Sequence, residues 1–271
     1  MPLYHISLEG TLIMLNSLEL GIFAFVMSFM NDTLGGGYGT LSSPLLLIFG
    51  YPATVAVPSV LFSEAWSEGL SSYFHAKRYH NTNYRSLGLV TLGGILGIIA
   101  AVYLVGVFLT STDAKLYIGA IAVMMGIFVI VRSYSWFTNY TKEKVKTNAP
   151  LTCILGILCG FNKSSTGGGY GPLSTSSLQL LGLTPAKAVG TTIPAKGLAC
   201  VISTILWSGL VGMTWSIALP MAVGATIGAP IAAWMNNYLK LKVTPSFHGR
   251  LLGLVMTLLG LYSVLTLARV L

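Results

Sequence analysis

The chain has 271 residues, of which 54% are hydrophobic and only 8% charged, far below the roughly 25% charged share of an average soluble domain. Water is therefore not its main solvent, and a soluble globular domain is excluded. The net charge of +8 sits on Lys and Arg residues that lie mostly in a few short loops rather than along one face, which reads as a topology signal and gives no nucleic-acid partner.

The first ten residues lack the basic n-region of a secretory signal, so the first helix is expected to stay in the mature protein. An apolar piece, 12–30, runs into Asn31-Asp32-Thr33-Leu34 and then Gly35-Gly36-Gly37-Tyr38-Gly39. A second piece follows over 40–49. Three segments, 52–74, 87–109 and 114–131, match the ~20 residues a helix needs to cross a bilayer. After a basic, polar linker at 138–149, the order recurs. A piece over 151–161 leads into Asn162-Lys163-Ser164-Ser165-Thr166 and Gly167-Gly168-Gly169-Tyr170-Gly171. A second piece, 172–181, and three spans, 185–207, 215–235 and 250–267, complete it.

The two glycine runs are offset by 132 positions (167 − 35), and further matches hold nearly that register: Leu41 with Leu173, Ser42 with Ser174, Gly50 with Gly182, Pro52-Ala53 with Pro185-Ala186. Gly93, Gly97 and Ala101 answer Gly224, Gly228 and Ala232, a small-xxx-small face for close helix packing. Gly119 and Gly126 answer Gly253 and Gly260. The expected architecture is an all-α membrane protein of two repeats, 1–137 and 150–271, each a broken-helix hairpin around a glycine run plus three transmembrane helices.

Orientation follows from the positive-inside rule. Lys77, Arg78 and Arg85, the linker with Arg132, Lys142, Lys144 and Lys146, and the loop with Lys240, Lys242 and Arg250 fall in the cytoplasm. Residues 110–113 and 208–214 hold no Lys or Arg and fall outside. The first hairpin then enters from outside and the second from the cytoplasm, so the repeats are inverted, as in alternating-access transporters with a site at the repeat junction.

The glycine runs are either tight structural hinges or a binding site. Helices starting at Tyr38 and Tyr170 aim unpaired amides and positive dipole ends at the membrane centre, where anions bind. Lys163 lies 13 residues beyond Pro150 (163 − 150), and Lys196 and Glu64 each lie 12 beyond Thr184 and Pro52, so all reach roughly 18–20 Å in at 1.5 Å per residue. Asp32 follows the first inbound piece. Ionisable groups at that depth pair, bind ligand or change protonation. An Asp32–Lys163 bridge across the pseudo-twofold is one expectation, and a purely cohesive role for these charges is the other. For a binding role, the substrate-binding candidates are Asn31, Gly36, Gly37, Tyr38, Gly39, Ser59, Asn162, Lys163, Gly168, Gly169, Tyr170, Gly171, Thr191, Thr192 and Lys196, with lysines supplying charge and amides and hydroxyls supplying hydrogen bonds. Asp32, Glu64 and Glu68 are the proton-coupling candidates, the two glutamates lying one turn apart on one face. Glu19 is assigned to a helix interface and Lys187 to the membrane surface, neither with a function.

The duplicated glycine runs, the Pro-Ala starts of the following helices and Gly190-Thr191-Thr192 together resemble the TauE/SafE sulfite exporter family over essentially the whole chain. The resemblance implies a plasma-membrane permease for small sulfur-containing anions, sulfite or organosulfonates, driven by a proton gradient. The first repeat departs from the pattern where Val57-Pro58-Ser59 faces Gly190-Thr191-Thr192.

An anion channel, or a carrier of another organic anion such as a carboxylate, would use the same lysines and amides. An enzyme built on Cys159 or His75 has no support, since no H-E-x-x-H, G-x-S-x-G or P-loop occurs. Cys153, Cys159 and Cys200 show no metal-ligand spacing and read as buried small hydrophobes, and His75 and His80 as surface residues. No metal or cofactor is expected; the partners are a small anion and the lipid bilayer, and a homodimer is compatible with the sequence.

Overall fold

The computed structural model describes residues 15–34, 37–74, 82–133, 148–239 and 245–268, and among these every regular element is helical. In chain order they are α1 (Ser17–Leu34), α2 (Tyr38–Ile48), α3 (Ala53–Phe74), α4 (Tyr84–Tyr103), which runs on as a π-helical turn (Leu104–Phe108), and α5 (Ser111–Arg132). The second half holds α6 (Ala149–Thr166), α7 (Tyr170–Leu180), α8 (Pro185–Val211), α9 (Trp215–Leu239) and α10 (Pro245–Ala268). Local sequence sets the helix starts. Asn83, Asn148 and Thr184 accept from backbone amides as N-caps, and Thr110 forms a capping box with Asp113, each satisfying an amide that has no partner within its helix.

Tyr84–Phe108, Thr112–Arg132, Ala186–Val211 and Trp215–Ala232 are long and apolar enough to cross a membrane. Helix α3, also expected to span, has the length at 22 residues but not the apolarity, whereas in α10 the stretch Arg250–Thr266 is apolar but shorter than those four. In α3 the reason is chemical: Ser59, Ser63, Glu64, Ser67 and Glu68 all sit on it, and all are buried. The molecule is inside-out relative to a soluble protein. Leu92, Leu96, Phe108, Met124, Ile205, Val223, Ile227, Leu258 and Leu265 are exposed, whereas the charged groups at the centre are not. That is the distribution a lipid solvent selects.

Small residues set the helix contacts. A Cβ on Gly93 or Gly97 would run into the carbonyls of Cys153 and Ile157, which seats α4 on α6 backbone to backbone; Gly224 does the same for α9 on α1 against Gly21. Helices α5 and α10 meet through Gly119, Gly126, Gly253 and Gly260, and α3 lies against α8. Each of these pairs joins one half of the sequence to the other. Exchanging the halves, α1 for α6 through α5 for α10, maps the pairing onto itself. The halves therefore share one core and are not separate lobes.

One expectation needs correction. The outbound legs α2 and α7 are short, 11 residues each, and α1, expected over 12–30, is 18 residues, but α6, expected to stop after 151–161, is also 18 residues, about 27 Å long at 1.5 Å per residue. Helix α6 does not stop at Phe161, where apolar residues end. It continues through Asn162–Thr166, where several polar groups find partners inside the fold: Lys163 donates to Glu64, Ser165 Oγ and the Tyr117 hydroxyl lie 3.0 Å apart, Thr166 donates to the Asn162 carbonyl at 2.7 Å, and the Trp207 indole donates to the Ser164 carbonyl at 2.9 Å. The chain then leaves the helix at Gly167, with φ 77°.

Candidate functional site

The two glycine turns meet. Gly37 precedes α2 at φ 115°, and Gly167 and Gly169 flank the second turn at φ 77° and 75°, backbone values that side chains bearing a Cβ rarely adopt. A Cβ on Gly39 would strike the Gly167 carbonyl, and one on Gly168 would strike the Thr40 amide. The Gly169 amide donates to Thr40 Oγ1 at 2.7 Å, the Tyr38 amide to Asn31 Oδ1 at 3.1 Å, and Asn162 Nδ2 to the Gly168 carbonyl at 3.4 Å. Helices α2 and α7 consequently begin beside each other, with first-turn amides that lack partners in their own helices.

Those N-termini open onto a cavity lined by Gly37, Tyr38, Gly39, Thr40, Glu64, Lys163, Gly168, Gly169, Tyr170, Gly171, Pro172 and Lys196. It has room for about one water-sized guest. In this conformation the cavity holds less than an oxyanion's volume.

Four buried charges stand at this point, supplied by three helices. Helix α3 carries Glu64 and Glu68, α6 carries Lys163, and α8 carries Lys196. Lys163 Nζ donates to Glu64 Oε2 and, at 2.7 Å, to the Gly167 carbonyl, which ties the charge cluster to the glycine turn. Lys196 Nζ pairs with Glu68 Oε1 and lies 3.2 Å from Glu64 Oε1. Glu64 thus bridges both lysines, while Glu68 meets Lys196. The relative exposure of these side chains is 1–8%, so each charge depends on its partners rather than on water. Around them, Tyr38 and Ser63 share a hydroxyl hydrogen bond of 2.7 Å, and Cys200 is buried one turn beyond Lys196.

Among the sequence candidates, Gly37, Tyr38, Gly39, Lys163, Gly168, Gly169, Tyr170, Gly171 and Lys196 line the cavity, joined by Glu64. Asn31 and Asn162 stand behind the glycine turns and hold them. Thr191 accepts from the Asn83 amide at 2.9 Å, Thr192 pairs with Ser174 at 3.1 Å, and Ser59 is buried; none of the three lines the cavity. Gly36, the side chain of Asp32 and hence the Asp32–Lys163 bridge, and the loops with His75, Lys77, Arg78, His80, Lys142, Lys144, Lys146, Lys240 and Lys242 lie outside the described residues, as do residues 138–147 of the linker. Glu19 is not in a helix interface: it is exposed in the first turn of α1, where it accepts from the Asn16 amide at 2.8 Å as the partner of a helix cap. Thr40 and Pro172 line the cavity without having been singled out; their place in the first turn after each glycine run was the available signal.

The chain matches the family model for the Sulfite exporter TauE/SafE over residues 20–263. It is 30% identical over 264 residues to the Probable membrane transporter protein YtnM of Bacillus subtilis (strain 168), covering 93% of this chain and 83% of that relative. No solved structure matches the chain.

Proposed function

We infer, since the chain belongs to the sulfite exporter TauE/SafE family, that this multi-pass membrane transporter carries small sulfur-containing anions of the sulfite or organosulfonate type across the plasma membrane, coupled to protons. The observation that carries the reading is the convergence of two ammonium groups, Lys163 and Lys196, with the N-termini of α2 and α7 on one cavity. A pyramidal or tetrahedral oxyanion offers several acceptor oxygens at once, and charged donors combined with helix-terminal amides suit it.

Alternating access is the mechanism we assign. The exchange-related helix pairs support inverted repeats, and so does the run of positive loops on one side. The narrowness of the cavity supports a carrier, since a conducting channel needs a continuous wet path. The elements that would have to move are the short legs α2 and α7, whose glycine turns form the cavity wall.

The test is flux into proteoliposomes with sulfite, methanesulfonate, thiosulfate and acetate, each with and without a pH gradient. Saturable, gradient-driven accumulation of the sulfur oxyanions in preference to acetate is expected. Passive, non-saturating conductance, or equal handling of acetate, would overturn the reading.

A further inference from the structure

The cavity wall and the charge cluster are not the same set of residues. Lys163, Lys196 and Glu64 line the cavity; Glu68, one turn further along α3, does not. Among the described residues the charges facing the cavity therefore sum to +1, and Glu68 cancels that charge from behind by holding Lys196. We propose that Glu68 is the carboxyl group that takes up the coupled proton, so that the cavity accepts one monovalent anion in front of Lys196 while Glu68 becomes neutral behind it. This rests on the reading of the cavity as the anion site.

The step balances simply. The anion enters and takes the Lys196 ammonium as its donor; the Lys196–Glu68 pair breaks; a proton from the aqueous side adds to the Glu68 carboxylate, and the ammonium keeps its own protons. Loaded and empty cavities are then equally neutral. Glu64 is the poorer proton acceptor on geometry, since it is held by both lysines and Lys163 is itself anchored to the Gly167 carbonyl. The groups facing Glu68 are Lys196 and Cys200 from α8, Lys163 from α6 and Glu64 from its own helix, with Tyr38 of α2 beyond Glu64. Helix α9, also against α3, carries no charged residue. Phe74, at the end of α3, lies six positions beyond Glu68, about 9 Å at 1.5 Å per residue, which gives the proton a short route along the helix to its end. A dianion would leave the cavity one charge in excess, so sulfate is expected to be a poor ligand.

The measurement is proton uptake on ligand binding by the purified full chain, followed with a pH dye in weak buffer. Methanesulfonate binding to the wild type should take up about one proton per anion, and sulfate should compete poorly. Glu68→Gln should bind methanesulfonate with no proton uptake. In proteoliposomes it should lose accumulation driven by a pH gradient and gain accumulation driven by an inside-positive potential; Glu68→Asp should restore the proton dependence. Binding without proton uptake in the wild type, proton uptake that persists in Glu68→Gln, or uncoupling by Glu64→Gln in its place would each overturn the assignment. If Glu68→Gln does not fold, the wild-type proton count and Glu68→Asp decide. A wild type that binds no methanesulfonate, sulfite or thiosulfate would instead sink the anion-site reading itself.

Discussion

The sharpest test of the buried cluster is a double-mutant cycle on Glu64 and Lys163. Breaking a buried ion pair by removing one partner typically costs about 3–5 kcal/mol, because the other charge stays behind without water. The structure orders the single variants. In Lys163→Met, Glu64 still has Lys196 at 3.2 Å, so the loss should fall near the low end, about 3 kcal/mol. In Glu64→Gln both lysines lose a carboxylate at once; Lys196 keeps Glu68, and Lys163 keeps the Gly167 carbonyl among its described partners. That loss should approach 5 kcal/mol. The double variant removes one charge of each sign and leaves Lys196 with Glu68, so it should be more stable than the sum of the singles by about 2–3 kcal/mol. Unfolding in detergent, followed by helical circular dichroism against denaturant, reads all four corners. Additivity within about 0.5 kcal/mol, or a Glu64→Gln variant milder than Lys163→Met, would refute the account of Glu64 as the shared counter-ion.

Further outcomes follow from the glycine turns. Gly39→Ala should prevent stable folding, seen as loss of a monodisperse peak on size exclusion, because its Cβ would strike the Gly167 carbonyl; Gly171→Ala has open space around it and should fold normally while lowering uptake, since Gly171 lines the cavity. Thr40→Val keeps the shape but removes the acceptor of the Gly169 amide, an orphaned buried donor worth about 1–3 kcal/mol, read as a lowered unfolding midpoint. Trp207→Phe deletes the hydrogen bond to the Ser164 carbonyl and should destabilise by about 1 kcal/mol through that bond, with additional loss where the smaller ring leaves a void.

How far the sequence foretold this site depends on which coordinate is asked for. Position along a helix axis was legible: counting residues from Pro52, Pro150 and Thr184 placed Glu64, Lys163 and Lys196 at one level, and the structure joins them. Angular position was used less well. At 3.6 residues per turn, residues five apart point about 140° away from each other, so Ser59 cannot share a face with Glu64, nor Thr191 with Lys196. The same arithmetic would have set both aside, and both lie off the cavity. Helix ends were less legible still. The polar stretch from Asn162 to Thr166 looks like a loop by composition, yet it is helical because Trp207 and Glu64, distant in sequence, supply partners. Nothing local to α6 carries that information. The small-residue faces were read correctly because a glycine stripe needs only its own spacing to declare a close contact, and the fold obliges with backbone against backbone at Gly93 and Gly224.

The asymmetry between the halves explains why a repeated sequence can host a single working site. Counting from the Pro-Ala pairs, Ser63, Glu64 and Glu68 of α3 correspond to Lys196, Gly197 and Val201 of α8. Within the buried cluster the acids come from the first half and the bases from the second, so the Glu64–Lys163, Glu64–Lys196 and Glu68–Lys196 contacts all run between halves. If alternating access also shifts α3 against α6 and α8, these contacts must slide or exchange at every turnover, and an ion pair pulled apart in an apolar interior is expensive. A cluster in which one carboxylate serves two lysines lowers that barrier, because Lys196 can leave Glu68 without losing Glu64. Absence of acids on α8 has its own consequence: a Cβ at Gly197 would meet Ser72 and Glu68 at ordinary contact distance, 3.4–3.8 Å, so a carboxylate at that position would stand beside Glu68 and oppose the anion. The one-sided placement of charge is thus what leaves the cavity-lining residues Lys163, Lys196 and Glu64 with a positive sum, and an acid on α8 at this level would cancel it.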